Sequence, residues 1–264
     1  MSEIWRLLEL GVYDGYTNMA IDEAILMARV ERLSPNTLRF YRWKPSTVSL
    51  GYTRSVEDDV HVEACSKYGV QIVRRCTGGG TVYHDAEGEI TYSVVVDEKA
   101  VGLIDIARSY ELVYRGLIEA IEMLGLKADF GSGTQERCPN VMVKERKISG
   151  SSQARRRGVL LQHGTLLVRA DLRRMFTLLK VPWSSNFEEV VKVAQRKITS
   201  IEREKGSTVT IDQVHKALIE GFKRGLNVQL KDGSLTQHEL NLAEKLRVEK
   251  YATDDWNFFK RGSP

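Results

Sequence analysis

Arg74–Asp85 reads RRCTGGGTVYHD. Three consecutive glycines stand between VQIVRR (70–75) and TVYH (81–84), both of which read as strands. A phosphate-binding P-loop keeps four residues between its glycines and then places Lys-Ser/Thr, whereas Gly80 is followed by Thr81-Val82. The dinucleotide fingerprint needs a helix after its glycines, and TVYH alternates like a strand. The unit is therefore strand–glycine loop–strand. By itself it leaves two readings open. One is a glycine-rich hairpin with no ligand. The other is a cradle of bare backbone N–H groups, flanked by Arg74, Arg75, His84 and Asp85, facing an anion or a polarised carbonyl.

Working outward, strands are predicted at TLRFYRW, STVSLGY, EITYSVVV, NVMV, RKISGS and GVLLQHGTLLV. Several are only a few residues apart, which favours antiparallel pairing. Apolar residues at helical spacing predict helices over Asn18–Leu33, with Asp22 and Glu23 in a first turn, and over Asp105–Leu124, stopped by Gly125. Thr210/Gln213 and Thr236/Glu239 have the spacing of capping boxes. Strands grouped together, with helices between groups, predict an α+β fold: a mostly antiparallel or mixed central sheet flanked by helices. No repeat or linker divides the chain, so residues 1–264 are read as one catalytic-sized domain whose portion from about 205 to 264 is helical.

The 264 residues can bury one large core, and 42% hydrophobic with 28% charged residues is ordinary for a globular protein. No apolar run approaches the roughly 18 residues of a membrane span, and MSEIWRLLEL is no signal peptide, so the expectation is a cytoplasmic protein without membrane attachment. Cys65, Cys76 and Cys138 are odd in number and widely spaced, against a disulfide framework or a structural zinc. The net charge of +4 and a single basic cluster, Arg155–Arg157, read as a solvated hairpin turn, do not make the basic, aromatic-interleaved stripe of a nucleic-acid binder.

Two further stretches carry chemistry. In RCPNVMVKERKISGSSQ (137–153), NVMV and RKISG read as a hairpin with Lys147 on the returning strand. Gly150 beside it marks a close approach, and the lysine is a candidate point charge for a phosphate or carboxylate. In LLQHGTLLV, His163 and Gly164 interrupt an apolar strand, and a lone strand histidine reads first as a structural hydrogen-bonder.

RRCTGGGTVYHD, GEITYSVVV, RKISGSSQ and LLQHGTLLV, in that order, resemble the lipoate-protein ligase and octanoyltransferase superfamily. NMAIDEAIL, LRFYRWKPSTVSLGY and EKYATDDWNF extend the resemblance over nearly the whole chain. It implies a biotin/lipoyl-protein-ligase-like catalytic fold related to class II synthetases. In the ligases of this family lipoate and ATP, with Mg²⁺, form lipoyl-AMP, and a lysine of a lipoyl carrier domain then takes the acyl group. Such carriers are the 2-oxoacid dehydrogenase E2 and glycine-cleavage H protein types. By position, Arg75, Gly80, Thr81, Val82, Tyr83 and His84 would meet the nucleotide. Gly78 and Gly79 would lie against the acyl group, and Lys147 would bridge phosphate and acyl oxygen. No metal ligands are identified.

The same superfamily holds octanoyltransferases and amidotransferases that use no ATP and pass the acyl group through a cysteine thioester. Cys138, just ahead of PNVMV, would be that nucleophile, with Lys147 promoting its ionisation. Two departures favour the ligase: the segment between Cys138 and Lys147 is short, and Gly80 stands where the cysteine enzymes often carry a large residue such as arginine. The expectation is thus a lipoate-protein ligase A of the bipartite archaeal type, with a separate small accessory subunit and Cys138 as a bystander.

Overall fold

Glu89–Asp97 is β-branched or aromatic at most positions, and a strand of that composition needs cover on both faces. It lies in the middle of the larger of two sheets. The computed structural model describes residues 3–99, 102, 105–131 and 140–260. Among these the strands are β1 (Ile4–Tyr13), β2 (Thr37–Trp43), β3 (Thr47–Leu50), β4 (Gln71–Arg74), β5 (Val82–His84), β6 (Glu89–Asp97), β7 (Asp129–Gly131), β8 (Asn140–Val143), β9 (Arg146–Arg156), β10 (Val159–Leu167) and β11 (Gln229–Gly233). The large sheet runs β11-β1-β2-β6-β10-β9-β8-β7 and the small one β4-β3-β5. β1 is parallel to β2 and β11, and the pairs from β2 to β7 are antiparallel. The sheet is mixed, as the α+β expectation requires.

Alternate side chains of β6 enter two cores. Tyr92 and Val94 pack with Leu117 and Phe222 of the helices Ile106–Met123 and Ile211–Leu226. These helices touch closely because Gly221 has no side chain: a Cβ there would stand 2.5 Å from the Ala120 nitrogen. Val95 faces the other way, onto Ala24 and Ile25 of the helix Gly15–Val30. Both predicted capping boxes are present.

Four sequence expectations change. The first helix starts at Gly15, where Asp14 accepts from Thr17 N at 2.9 Å, so Asp22 and Glu23 lie mid-helix and buried rather than in a first turn. Glu23 accepts from Lys250 Nζ at 2.8 Å and pairs with Arg156 at 2.8 Å, while Arg155 pairs with Glu98 at 2.7 Å. Two members of the basic cluster are therefore tied into ion pairs, and only Arg157-Gly158, both with positive φ, make the turn. The C-terminal portion is not wholly helical, since Gln229–Gly233 joins β1 as an edge strand. Finally, β4 and β5 do not pair with each other: β3 runs between them, so the glycines bridge the small sheet instead of turning a hairpin.

Candidate active site

The bridge is held down from below. Tyr52 N donates to Thr77 O at 2.8 Å, and a Cβ on Gly51 would collide with the Gly79 carbonyl. Gly79 itself has φ +87°, a conformation that glycine adopts without strain. Arg75, buried, ties this loop to β3. Its Nε donates to Thr77 Oγ1 at 3.3 Å, Nη1 to Ser49 O and Oγ at 2.8 and 2.7 Å, and Nη2 to the Gly78 and Gly80 carbonyls at 2.9 and 2.8 Å. Burial lowers its pKa to about 10, still charged at neutral pH. The guanidinium is thus committed to the shape of the loop.

Two histidines lie beneath it. His84 Nδ1 is 2.6 Å from Glu89 Oε1 and its Nε2 2.7 Å from Ser49 Oγ, with the ring stacked on Trp43 at 4.0 Å. His163 Nδ1 is 2.8 Å from Asp22 Oδ2 and its Nε2 2.7 Å from Thr77 Oγ1, which in turn is 2.8 Å from Ser152 Oγ. Asp22 also accepts from Arg39 at 2.7 Å and from Tyr41 OH at 2.9 Å. Burial pushes the Asp22 carboxyl up, but Arg39 and His163 more than offset this and hold it below the usual value. Burial holds the His163 imidazole below its ordinary value, with Arg75 and His84 opposing Asp22. His163 is therefore neutral at physiological pH.

Lys147 sits two residues into β9, paired with Met142 of β8 and bridged to Ile198 on its other side. A Cβ on Gly150 would lie 2.5 Å from Lys147 Nζ and 3.5 Å from Asn140 Oδ1. The ammonium group therefore crosses the Gly150 backbone, toward the start of β8. The hairpin turn at Lys144 and Arg146 is anchored by the buried Glu204, at 3.3 and 2.5 Å.

A cleft of ≈ 360 Å³ brings these parts together. Arg75, Gly79, Gly80, Thr81, Val82, Tyr83, His84 and Lys147 all border it, whereas Gly78 does not. Thr81 Oγ1 donates to Asp59, which also holds Arg54, and Tyr83 OH lies 3.5 Å from Asp85 Oδ2. The opposite wall is apolar, with Met175, Phe176, Leu179, Val181, Pro182 and Ile198. Cys138 lies outside the described residues, two positions before Asn140 in the chain. Sequence reading missed Asp22, Ser49, Thr77 and Ser152, and took His163 for a lone residue. The signal available was two adjacent acids on a helix whose neighbours, Met19 to Leu26, are otherwise apolar, since buried carboxylates need partners. Among the described residues no group of three His, Cys, Asp or Glu side chains could hold a metal ion, and no helix is long and apolar enough to cross a membrane.

Residues 14–223 match the family described as the lipoyl protein ligase A/B catalytic domain. Octanoyltransferase LipM of Anoxybacillus flavithermus is 37% identical over 97% of this chain and 98% of its own. Octanoyltransferase LipM of Bacillus subtilis is 34% identical over the same shares. Among solved structures, the bipartite lipoate protein ligase of Thermoplasma acidophilum, described with its E2 lipoyl domain, has a TM-score of 0.86 at 30% identity, covering 99% of each chain. These relatives overturn the expectation of an ATP-dependent lipoate ligase: the full-length octanoyltransferases, at up to 37% identity, favour the cysteine alternative. Of the two departures that pointed to a ligase, the one at Gly80 also loses its force on structural grounds. Nothing lies within 4 Å of a Cβ on Gly80, so the fold tolerates either a glycine or a side chain there. Within the short segment between Cys138 and Lys147, the described residues from Asn140 onward form the β8–β9 hairpin, which sets Lys147 beside Met142. With the family matched over most of the chain and relatives aligned from end to end, the chain belongs to the lipoyl protein ligase A/B catalytic domain family.

Proposed function

We propose that the chain is an octanoyltransferase that moves an octanoyl group from a carrier-protein thioester to a lysine of a lipoyl carrier domain, without ATP. The observation that carries this reading is the 34–37% identity, over nearly the full chain, to proteins named octanoyltransferases. The acceptors would be E2-type or H-protein-type lipoyl domains in the cytoplasm, with residues 1–264 acting as one catalytic domain. An accessory subunit for adenylate formation has no part in this route.

In the first step the Cys138 sulfur attacks the donor thioester carbonyl. The carrier thiol departs with the proton that Cys138 gives up, leaving an octanoyl–Cys138 thioester. The Lys147 ammonium, turned toward the start of β8, favours the ionised sulfur. The apolar wall from Met175 to Ile198 suits an eight-carbon chain, and Gly79 and Gly80 let the reacting carbonyl approach backbone N–H groups. In the second step the acceptor lysine amine attacks the enzyme thioester, forming the amide and releasing Cys138.

The test mixes the chain with octanoyl-carrier protein and apo lipoyl domain in the absence of ATP. Intact-mass analysis should find an octanoyl-enzyme that Cys138→Ser does not form, and Lys147→Ala should slow its formation by roughly 10²–10³-fold, the size of one preorganised charge. Modification that requires ATP and free acid, and that survives in Cys138→Ser, would sink the proposal.

A further inference from the structure

When the acceptor amine attacks the enzyme thioester, its nitrogen must shed a proton, and the hydrogen-bond directions under the glycine loop identify a receiver. Asp22, ionised against Arg39, can only accept, so the proton of neutral His163 is on Nδ1 and Nε2 is an acceptor. Thr77 must then donate its one O–H to His163 Nε2. At the 2.8 Å contact between Thr77 and Ser152 the donor can therefore only be Ser152. Thr77 Oγ1 thus accepts from Ser152 and from Arg75 Nε, while donating to His163, and its capacity is filled. Ser152 has spent its only proton inward and shows lone pairs to the cleft that it borders. The geometry also places Ser152 opposite His163 across the β9–β10 ladder, with Gly79 against its Cβ, so the chain of hydroxyls is held on both sides.

We infer that Ser152 Oγ is the proton acceptor for the incoming lysine amine, and that Thr77, His163 and Asp22 form the relay behind it. This rests on the octanoyl-transfer reading. As the C–N bond forms and the C–S bond breaks, the amine proton passes to Ser152. The Ser152 proton passes to Thr77 and that of Thr77 to His163 Nε2, giving an imidazolium held by Asp22. The leaving Cys138 thiolate recovers this proton by the reverse path, restoring the resting thiol. Ser152 is the catalytic residue here, since it alone meets the substrate. Thr77 and His163 act through it.

The experiment separates the two half-reactions. Octanoyl-enzyme is formed from octanoyl-carrier protein and then mixed with apo lipoyl domain in a single turnover, for the wild type, Ser152→Ala, Thr77→Val and Ser152→Thr. Ser152→Ala and Thr77→Val should load at the wild-type rate but discharge about 10²-fold more slowly, the lower end of general-base contributions. Ser152→Thr, which keeps the hydroxyl, should restore most of the discharge rate. The pH profile gives a readout that simple damage would not. Protonation of the acceptor amine alone gives a slope of one in log rate against pH. In the wild type the slope should steepen to two where His163 titrates, on the acid side of the ordinary imidazole range because burial lowers its pKa. In Ser152→Ala and Thr77→Val it should stay at one. The charged and titratable groups facing His163 are Asp22 from the first helix, Arg75 from the loop and His84 from β5, with Arg39 and Tyr41 of β2 acting through Asp22. Discharge by both variants at the wild-type rate with the wild-type profile overturns the relay alone, as does equal loss of both half-reactions. A wild-type chain that never becomes octanoylated overturns the octanoyl-transfer reading and the relay with it.

Discussion

The two histidine–carboxylate pairs under the glycine loop look alike and are built for different ends. Each histidine is fixed through Nδ1 by a buried acid, and each meets through Nε2 a hydroxyl that also accepts from Arg75. On the His84 branch the series stops there. Ser49 lines the cleft wall as well but is 0% exposed, and the ring is clamped on Trp43, whose indole N–H donates to Thr91 Oγ1, itself a donor to Glu89. On the His163 branch one more hydroxyl follows, Ser152, which is 6% exposed and borders the cleft. A single added side chain separates a strut that holds Arg75 in place from a route by which a proton can leave the cleft. The acids differ as well. Asp22 neutralises a buried arginine, whereas Glu89 has only His84 as an ionisable partner among the described residues.

The largest effect should come from the acid on the open branch. Asp22→Asn leaves Arg39 buried without its counter-charge, and breaking one side of such a pair costs roughly 3–5 kcal/mol. Glu89→Gln leaves no buried arginine without its counter-charge and should cost about 1–2 kcal/mol. Urea unfolding of both variants measures the difference, and equal losses would erase the distinction between the acids. The pH dependence follows with a definite sign. The Asp22 carboxyl is held below its usual value of 3.8, so its stabilisation is full above that pH and is lost as pH falls through the lower folded-state value. Asp22→Asn should remove this part of the acid-unfolding curve.

A smaller effect is expected on the closed branch. His84→Asn loses the Trp43 stacking and one strut of Arg75, and unfolding should become easier by about 1–2 kcal/mol. Its single-turnover discharge should stay within about threefold of the wild type and keep the steepened acid limb, because general-base contributions of 10²-fold or more belong to the other histidine. If His84→Asn flattened that limb, the functional assignments of the two branches would be reversed.

The comparison also shows how far residue types alone lead. The glycine loop, the β8–β9 hairpin carrying Lys147 and both capping boxes were legible because each is local: a few neighbouring residues specify a turn, a pairing or a cap. β11 was hidden, since Gln-Leu-Lys-Asp-Gly has little strand character and becomes a strand only because β1 offers an open edge. The relay was hidden for a related reason. Asp22, Thr77, Ser152 and His163 are drawn from a helix, a loop and two strands, so no sequence spacing links them. Asp22 was read as a first-turn acid because the helix was started three residues late. A helix beginning at Gly15 would have put that carboxylate mid-helix among apolar residues and raised the question of its partner.

The smallest effect concerns the residue on which the choice of activity had been hung. Gly79 and Gly80 are neighbours in one loop, but only Gly79 has a positive φ, and a Cβ on it would reach Ser152 Cβ at 3.4 Å and Arg75 Nη2 at 3.5 Å. Gly79→Ala should therefore be strained by about 1 kcal/mol or more and should slow discharge by displacing the Ser152 hydroxyl. Gly80 has an ordinary φ, open space where a side chain would go, and a carbonyl, not a side chain, as its link to Arg75. Gly80→Ala should leave unfolding within about 0.5 kcal/mol of the wild type and both half-reactions unchanged. A large loss of loading in Gly80→Ala, with the fold intact, would mean that the acyl chain or its carbonyl uses the space over Gly80. The residue at this position would then discriminate among acyl donors after all, through the volume it occupies.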